Sequence, residues 1–273
     1  MKKLSNFLIP AAVLLIVFIA FKQFFGSGPI NPLVMGGIII ACLVGTSLLR
    51  PKKKVSSSVD TTFSLLGDFG KEAFSYDESL SVQFQSAVSD FLNSMPKAAT
   101  KKLEKLQPLC KTDADTYGVS VALGMIKSYE DDYAAAIKLF NRAVVLHPTA
   151  QLAETIASAQ QRIGELEDAI DSYEFALDLD PEAVDIRAKL ATAYVADAKF
   201  EDAITEARLV LEQDETHASA LATCAICYGV LDNTLLCKNY TDKAVANGYS
   251  AEKISTTITA LKKKYKKTLE SMN

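Results

Sequence analysis

Residues Asp132 to Pro148 read Asp-Tyr-Ala-Ala-Ala-Ile-Lys-Leu-Phe-Asn-Arg-Ala-Val-Val-Leu-His-Pro, and Glu165 to Pro181 read Glu-Leu-Glu-Asp-Ala-Ile-Asp-Ser-Tyr-Glu-Phe-Ala-Leu-Asp-Leu-Asp-Pro. Ala136, Phe140, Ala143 and Pro148 align with Ala169, Tyr173, Ala176 and Pro181, each pair 33 residues apart. A shift of 34 returns the frame as Ala203, Ala207, Val210 and Glu215, and another 34 brings Cys237, Thr241 and Ala244. A fixed period of this size signals stacked supersecondary units.

Small, aromatic and small residues at i, i+4 and i+7 share one stripe of a helix. The alanines let a neighbouring helix approach, the aromatic fills the gap, and a proline five residues on stops the helix. Twelve residues before each first small residue stands another, Gly124, Ala157, Ala191 and Ala225, preceded by Leu123, Ile156, Leu190 and Cys224. Each unit is therefore expected to be two antiparallel helices whose small faces meet.

From about Tyr117 to Ala251 the chain resembles the tetratricopeptide repeat family. It departs from that pattern where an aromatic is expected early in the first helix: Ser120, Ala153, Arg187 and Leu221 stand there. Glu215 and Tyr249 replace the terminal proline in the third and fourth units. The resemblance implies an all-α fold, an α-solenoid of helix pairs whose first helices line a curved inner face. It also implies a protein or peptide partner held in that groove. The groove candidates are Val121, Met125, Ser128 and Tyr129, then Glu154, Ser158, Gln161 and Arg162, then Ala188, Thr192 and Val195, then Thr223, Ile226 and Gly229. Some of these are expected only to pack helices. Together they read as neutral and mildly apolar. Glu154, Ala188 and Thr192 stand where the family's carboxylate clamps use Lys, Arg and Asn, so a chaperone-tail clamp is not expected.

The amino end has a different character. Leu4 to Phe21 is 18 residues without a charge, and Ile30 to Leu49 is another 20. A bilayer-spanning helix needs about 20 apolar residues. The Gly26-Ser-Gly-Pro-Ile-Asn-Pro32 connection between them has turn chemistry. Residues 1–54 thus read as a transmembrane hairpin with helices over 4–21 and 30–49. Lys2, Lys3, Arg50 and Lys52 to Lys54 flank it, which places both ends and the repeats on the cytoplasmic side. The alternative for the first segment is a cleaved signal peptide, but no small-x-small site closely follows it and a second apolar segment comes at once. Gly37, Ala41 and Gly45 allow close helix contact in lipid, either within the hairpin or in self-association.

Residues 55–79 read as a linker, with at most a short helix after Phe63. Residues 80–116 read as a degenerate repeat capping the stack, and 117–250 as four repeats. Residues 251–273 read as a capping helix and tail, with Ile254, Ile258 and Leu261 as an apolar stripe covering the fourth unit. The lysines of that last helix offer a second option, contact with anionic lipid.

Charge and residue types narrow the function. Residues 55–250 carry 16 basic against 31 acidic side chains, which argues against nucleic acid. No glycine-rich phosphate loop, Ser-His-Asp arrangement or metal-spaced histidine set is present, so no enzyme activity and no cofactor is expected. Cys224, Cys227, Cys237 and His217 can be drawn as a zinc site. Repeat register instead assigns Cys224 and Cys237 to small packing positions. His147 and His217 read as solvent-facing linker residues. The expected function is a membrane-anchored interaction scaffold. The alternative is a subunit or assembly factor of a membrane complex that binds through its hairpin.

Overall fold

A computed structural model describes residues 59–266, with side chains from Leu65 onward. The segments 4–21 and 30–49, and with them Gly37, Ala41 and Gly45, lie outside the described residues. No helix among the described residues is long and apolar enough to cross a membrane. In chain order the helices are α1 (Val59–Lys71), α2 (Glu78–Leu92), α3 (Pro96–Leu106), α4 (Asp113–Tyr129), α5 (Tyr133–Leu146) and α6 (Ala150–Ile163). They continue with α7 (Leu166–Leu179), α8 (Val184–Ala196), α9 (Phe200–Gln213), α10 (Ala218–Val230), α11 (Thr234–Ala246) and α12 (Ala251–Lys264).

The helices pack as hairpins, α4 with α5, α6 with α7, α8 with α9 and α10 with α11, and each outer helix then meets the next inner one. The small positions carry this packing. Ala136, Ala169 and Ala203 are 0% exposed, as are Ala143, Ala176 and Ala207. Phe140 and Tyr173 fill the space between the helices of their pairs and are themselves buried. Pro148 and Pro181 follow the C-caps His147 and Asp180, so α5 and α7 stop where the pyrrolidine ring forbids another turn. The third unit, lacking that proline, ends differently. Asp214 Oδ1 accepts from Thr216 N at 3.0 Å and from its hydroxyl at 2.7 Å. His217 Nδ1 then caps α10 by accepting from Ala220 N at 3.2 Å. His217 is therefore a helix cap and not a simple linker residue.

The turn inside each pair is the same structure repeated. Asp131, Gly164, Ala198 and Asp232 all have left-handed φ, between 60° and 86°, and Ser94 has it between α2 and α3. The following amide reaches back to a carbonyl five residues earlier, as Lys199 N does to Tyr194 O at 2.9 Å and Met95 N to Asp90 O at 2.8 Å. This is a Schellman closure, and it normally favours glycine. Its recurrence at Ser94 shows that α2 and α3 form a pair of the same kind. Ala198 bears a Cβ at φ 62°. Ala198→Gly is expected to raise the unfolding free energy by about 1 kcal/mol, read from the denaturation midpoint at unchanged m-value.

The amino end of the stack departs from the sequence expectation. The stretch read as linker holds α1, and Leu65, Leu66, Ala73 and Phe74 join the core beside α4. Tyr117 donates to Leu65 O at 2.8 Å, and Phe69 stacks on His147 at 4.7 Å. His147 is thus exposed on one side and packed on the other. Asp115, fully buried in the first turn of α4, ties this end together. Its carboxylate accepts from Phe74 N at 2.6 Å, Lys111 N at 2.8 Å, Thr112 N at 3.0 Å and Tyr76 OH at 3.1 Å. At the other end, α12 lies chiefly on α10 and only slightly on α11. Its stripe of Ile254, Ile258 and Leu261 lies on the fourth unit, and Val245 of α11 stays 44% exposed where its counterpart Leu177 is 9% exposed.

Candidate functional site

The inner helices differ in how they are covered. From Tyr117 to Ile126 every residue of α4 is buried, and so is every residue of α10 from Ala220 to Cys227. Gly118 lies against the carbonyl of Gly70, Ala73 and the Phe84 ring, so α1 and α2 close over α4. Ile254 and Ile258 of α12 pack in the same apolar cluster as Ile226 and Val230 of α10. Between these closed ends α6 and α8 keep one side open. Glu154, Ser158, Gln161 and Thr192 are half-buried there, and Arg162 and Lys189 are exposed.

Six of the groove candidates, Val121, Met125, Ala188, Val195, Thr223 and Ile226, are buried in helix packing. Ser128 and Tyr129 remain partly open at the end of α4, with Tyr129 edge-on to Phe91 at 5.8 Å. Gly229 sits against Ile258 and Cys237. The open face is consequently polar, because its apolar members are the ones that hold helices together.

That face is pre-ordered. Lys189 Nζ of α8 donates to Glu154 Oε1 of α6 at 2.6 Å, an ion pair between neighbouring inner helices. Ser158 Oγ lies 3.0 Å from the Tyr173 hydroxyl, which also donates to Gln161 Oε1 at 3.4 Å. Burial raises the Tyr173 pKa, so the phenol stays a neutral donor. Arg162 stands over the Tyr133 ring, 5.4 Å from its centre. Such a face presents hydroxyls, amides, the Lys189–Glu154 ion pair and the Arg162 cation. It can hydrogen-bond a peptide main chain, and it has no aligned nucleophile and base. Lys189 was not among the sequence candidates. Its signal was an opposite charge 35 residues after Glu154, at an adjacent position of the next unit.

The cysteines occupy packing sites. Cys224 lies among Ala191, Ala207 and Val210, and Cys227 lies in the cluster with Phe200 and Ala203. Burial pushes the Cys224 thiol up to about 12 and also raises Cys227, so both are protonated at neutral pH. His217 spends its Nδ1 on the α10 cap. Among the described residues no group of three or more His, Cys, Asp or Glu is placed to hold a metal. The acidic run Glu130 to Asp132 serves the turn between α4 and α5: Asp132 caps α5 by accepting from Ala135 N, and Glu130 pairs with Lys127. One apolar pocket, about 430 Å³, opens between α1 and α2 and is lined by Leu66, Phe84, Val88 and Leu92, with Lys71 at its edge.

Comparison with known proteins agrees with this geometry. Residues 163–227 match the model of the tetratricopeptide repeat family. Among solved structures, MamA is similar at 19% identity over 58% of this chain and 92% of that chain, with a TM-score of 0.54. YrrB, described as a tetratricopeptide repeat protein with an unusual peptide-binding site, is similar at 16% identity over 72% of this chain and 99% of that chain, TM-score 0.57. A tetratricopeptide repeat protein from Parabacteroides merdae ATCC 43184 gives 17% identity, 71% and 77% coverage, and a TM-score of 0.61. At these identities the likeness shows the fold. No curated protein sequence matches the chain.

Proposed function

We propose that this tetratricopeptide-repeat solenoid is a membrane-anchored interaction scaffold that holds a protein or peptide partner against the inner faces of α6 and α8. The observation that carries the reading is the contrast in burial: α4 and α10 are enclosed, whereas Glu154, Ser158, Gln161, Arg162, Lys189 and Thr192 form an open, pre-ordered polar strip. YrrB, a solenoid of the same fold, is described as having a peptide-binding site, which supports a peptide here. The reading assigns no reaction to the chain.

Anchoring rests on the sequence before Val55. Two uncharged stretches flanked by lysine and arginine favour a hairpin with the repeats on the cytoplasmic side. Tethering raises the partner's effective concentration at the bilayer without chemistry. Reporter fusions after Lys54 and within residues 26–28 should report opposite sides of the membrane. Reporters on the same side would remove the hairpin.

The groove is tested by capture. Intact protein, and a version starting at Ser56, should retain the same bound proteins by mass identification. Arg162→Glu combined with Thr192→Arg should weaken that capture at least tenfold, about 1.4 kcal/mol. Arg162→Glu also removes the Tyr133 contact and a favourable charge at the α6 C-terminus, so stability should fall by about 1 kcal/mol while the chain stays folded. Unchanged capture would end the groove reading. The second reading, a subunit that binds through its hairpin, is favoured by Gly37, Ala41 and Gly45. It expects leucine at these three positions to abolish recovery while the groove variants leave it intact.

A further inference from the structure

We infer that the inner face of α10 is a receptor for an amphipathic helix, occupied at rest by the chain's own α12, and that a partner helix of the same apolar spacing takes its place. The inference rests on the reading of the inner faces as the partner-binding side and adds a second, self-occupied site to it.

The position of α12 is the first observation. A helix that only closed the stack would lie on α11, the last outer helix. Instead α12 crosses α10 and reaches the preceding pair, where Tyr265 OH donates to Ala196 O at 2.6 Å and its ring meets Phe200 edge-on at 6.2 Å. The end of the stack is left open at Val245, 44% exposed where Leu177 of the second unit is 9%.

The seat is shaped for a helix. Gly229 forms a notch in α10. A Cβ there would lie 3.0 Å from Cys237 Sγ and closer still to Ile258 Cδ1. Ile258 therefore enters the space that glycine leaves. Ile254 is buried one turn before it, with Leu261 and Tyr265 packed one and two turns after. Lys262 pairs with Asp232 in the α10–α11 turn and sets the register. The ligand chemistry follows: apolar side chains at i, i+4, i+7 and i+11, with a cation at i+8.

The resident helix is made to be displaced. Ile254 to Thr259 reads Ile-Ser-Thr-Thr-Ile-Thr, five β-branched residues in six, which is a poor helix sequence. A helix of 14 residues with that composition is marginal on its own. Ile254 is its only fully buried residue, and Gly248, at φ 88°, lies in the connection before it. A partner helix with the same apolar spacing and better helix formers has the advantage at this seat, because less of its binding is spent on ordering itself.

The test uses the full chain in detergent and a fluorescent peptide of residues 250–266 carrying Ser255→Ala, Thr256→Ala and Thr259→Ala, three exposed positions. Full-chain Ile258→Asp, whose own helix cannot seat, should bind the peptide at least tenfold more tightly than the wild type. Adding Gly229→Val should abolish that binding. Equal binding to wild type and Ile258→Asp, or binding that survives Gly229→Val, overturns the proposal. If circular dichroism shows Ile258→Asp to be unfolded, Tyr265→Phe decides. Amides of 251–264 should then exchange at least tenfold faster while those of α4 to α9 do not change, and unchanged exchange overturns it. A wild-type dimer by light scattering that dissociates in Ile258→Asp assigns the face to a second copy and also overturns it. Loss of peptide binding with intact sensitivity to Arg162→Glu and Thr192→Arg would remove this site and leave the α6–α8 groove standing.

Discussion

Asp115→Asn is expected to lower the unfolding free energy by about 3 kcal/mol at neutral pH, measured by denaturant titration. The carboxylate is buried and takes four hydrogen bonds, two of them from the amides of Lys111 and Thr112 onto one oxygen. An asparagine keeps one acceptor and turns an NH2 group toward donors. The amide of Phe74 depends on the same side chain, in a residue held at φ 61°. Strained backbone persists only where its surroundings over-determine it, so losing this bond releases the turn between α1 and α2. The pH dependence follows from the charge. Burial alone would raise the Asp115 pKa, but the hydrogen bonds from Lys111, Phe74 and Thr112 outweigh it and hold the pKa below the usual carboxylate value. A depressed folded pKa means a stabilisation complete above the unfolded value of about 3.9 and lost as pH falls through the folded one. The gap between wild type and Asp115→Asn should therefore narrow in acid. A gap that is constant from pH 7 to pH 2 would show that the charge is not what the variant removes.

Gly124→Val is expected to cost about 3 kcal/mol by the same measurement. A Cβ at this position would lie 2.6 Å and 2.8 Å from two ring atoms of Phe140. Phe140 is itself fully buried, so the ring has nowhere to retreat. Ala191 and Ala225 stand at the matching places of the third and fourth units, opposite Ala207 and Thr241, and Ala157 stands opposite the Tyr173 ring, so a methyl is accommodated elsewhere and it is the seat of Phe140 that excludes one here. Phe140→Leu should therefore recover part of the loss, giving a coupling in the double-mutant cycle above about 0.5 kcal/mol. Additive losses would mean that the glycine is not there for the ring.

The repeated notches made the helix pairs legible, because small residues at i and i+7 with an aromatic between them have few uses besides close packing. Ala136, Phe140 and Ala143 show why: the pattern is local and its burial follows from its neighbours in sequence. The helix α1 was not legible for the opposite reason. Its anchors are long-range, the Phe74–Asp115 bond spanning 41 residues and the Tyr117–Leu65 bond spanning 52. Gly67 and Gly70 also interrupt what would otherwise be a helical stripe of Leu66, Phe69 and Ala73. In the groove, repeat register located the inner helices but could not tell Ser158 from Thr223. That difference is made by α1 and α12, whose paths depend on contacts such as Tyr265 with Ala196, 69 residues away. The apolar stripe of α12 was legible in Ile254, Ile258 and Leu261, whereas its seat against α10 rather than α11 depends on the notch at Gly229.

Ala244 is the only buried residue of α11, whereas α4 is enclosed on every side along most of its length. In a structure where each pair leans only on its neighbours, unequal protection becomes direction. Heat or denaturant should peel the rod from its carboxyl end inward, like a zip opened from its loose tab. The pair α4–α5, with α1 and α2 closed over it, should be the last to lose its order.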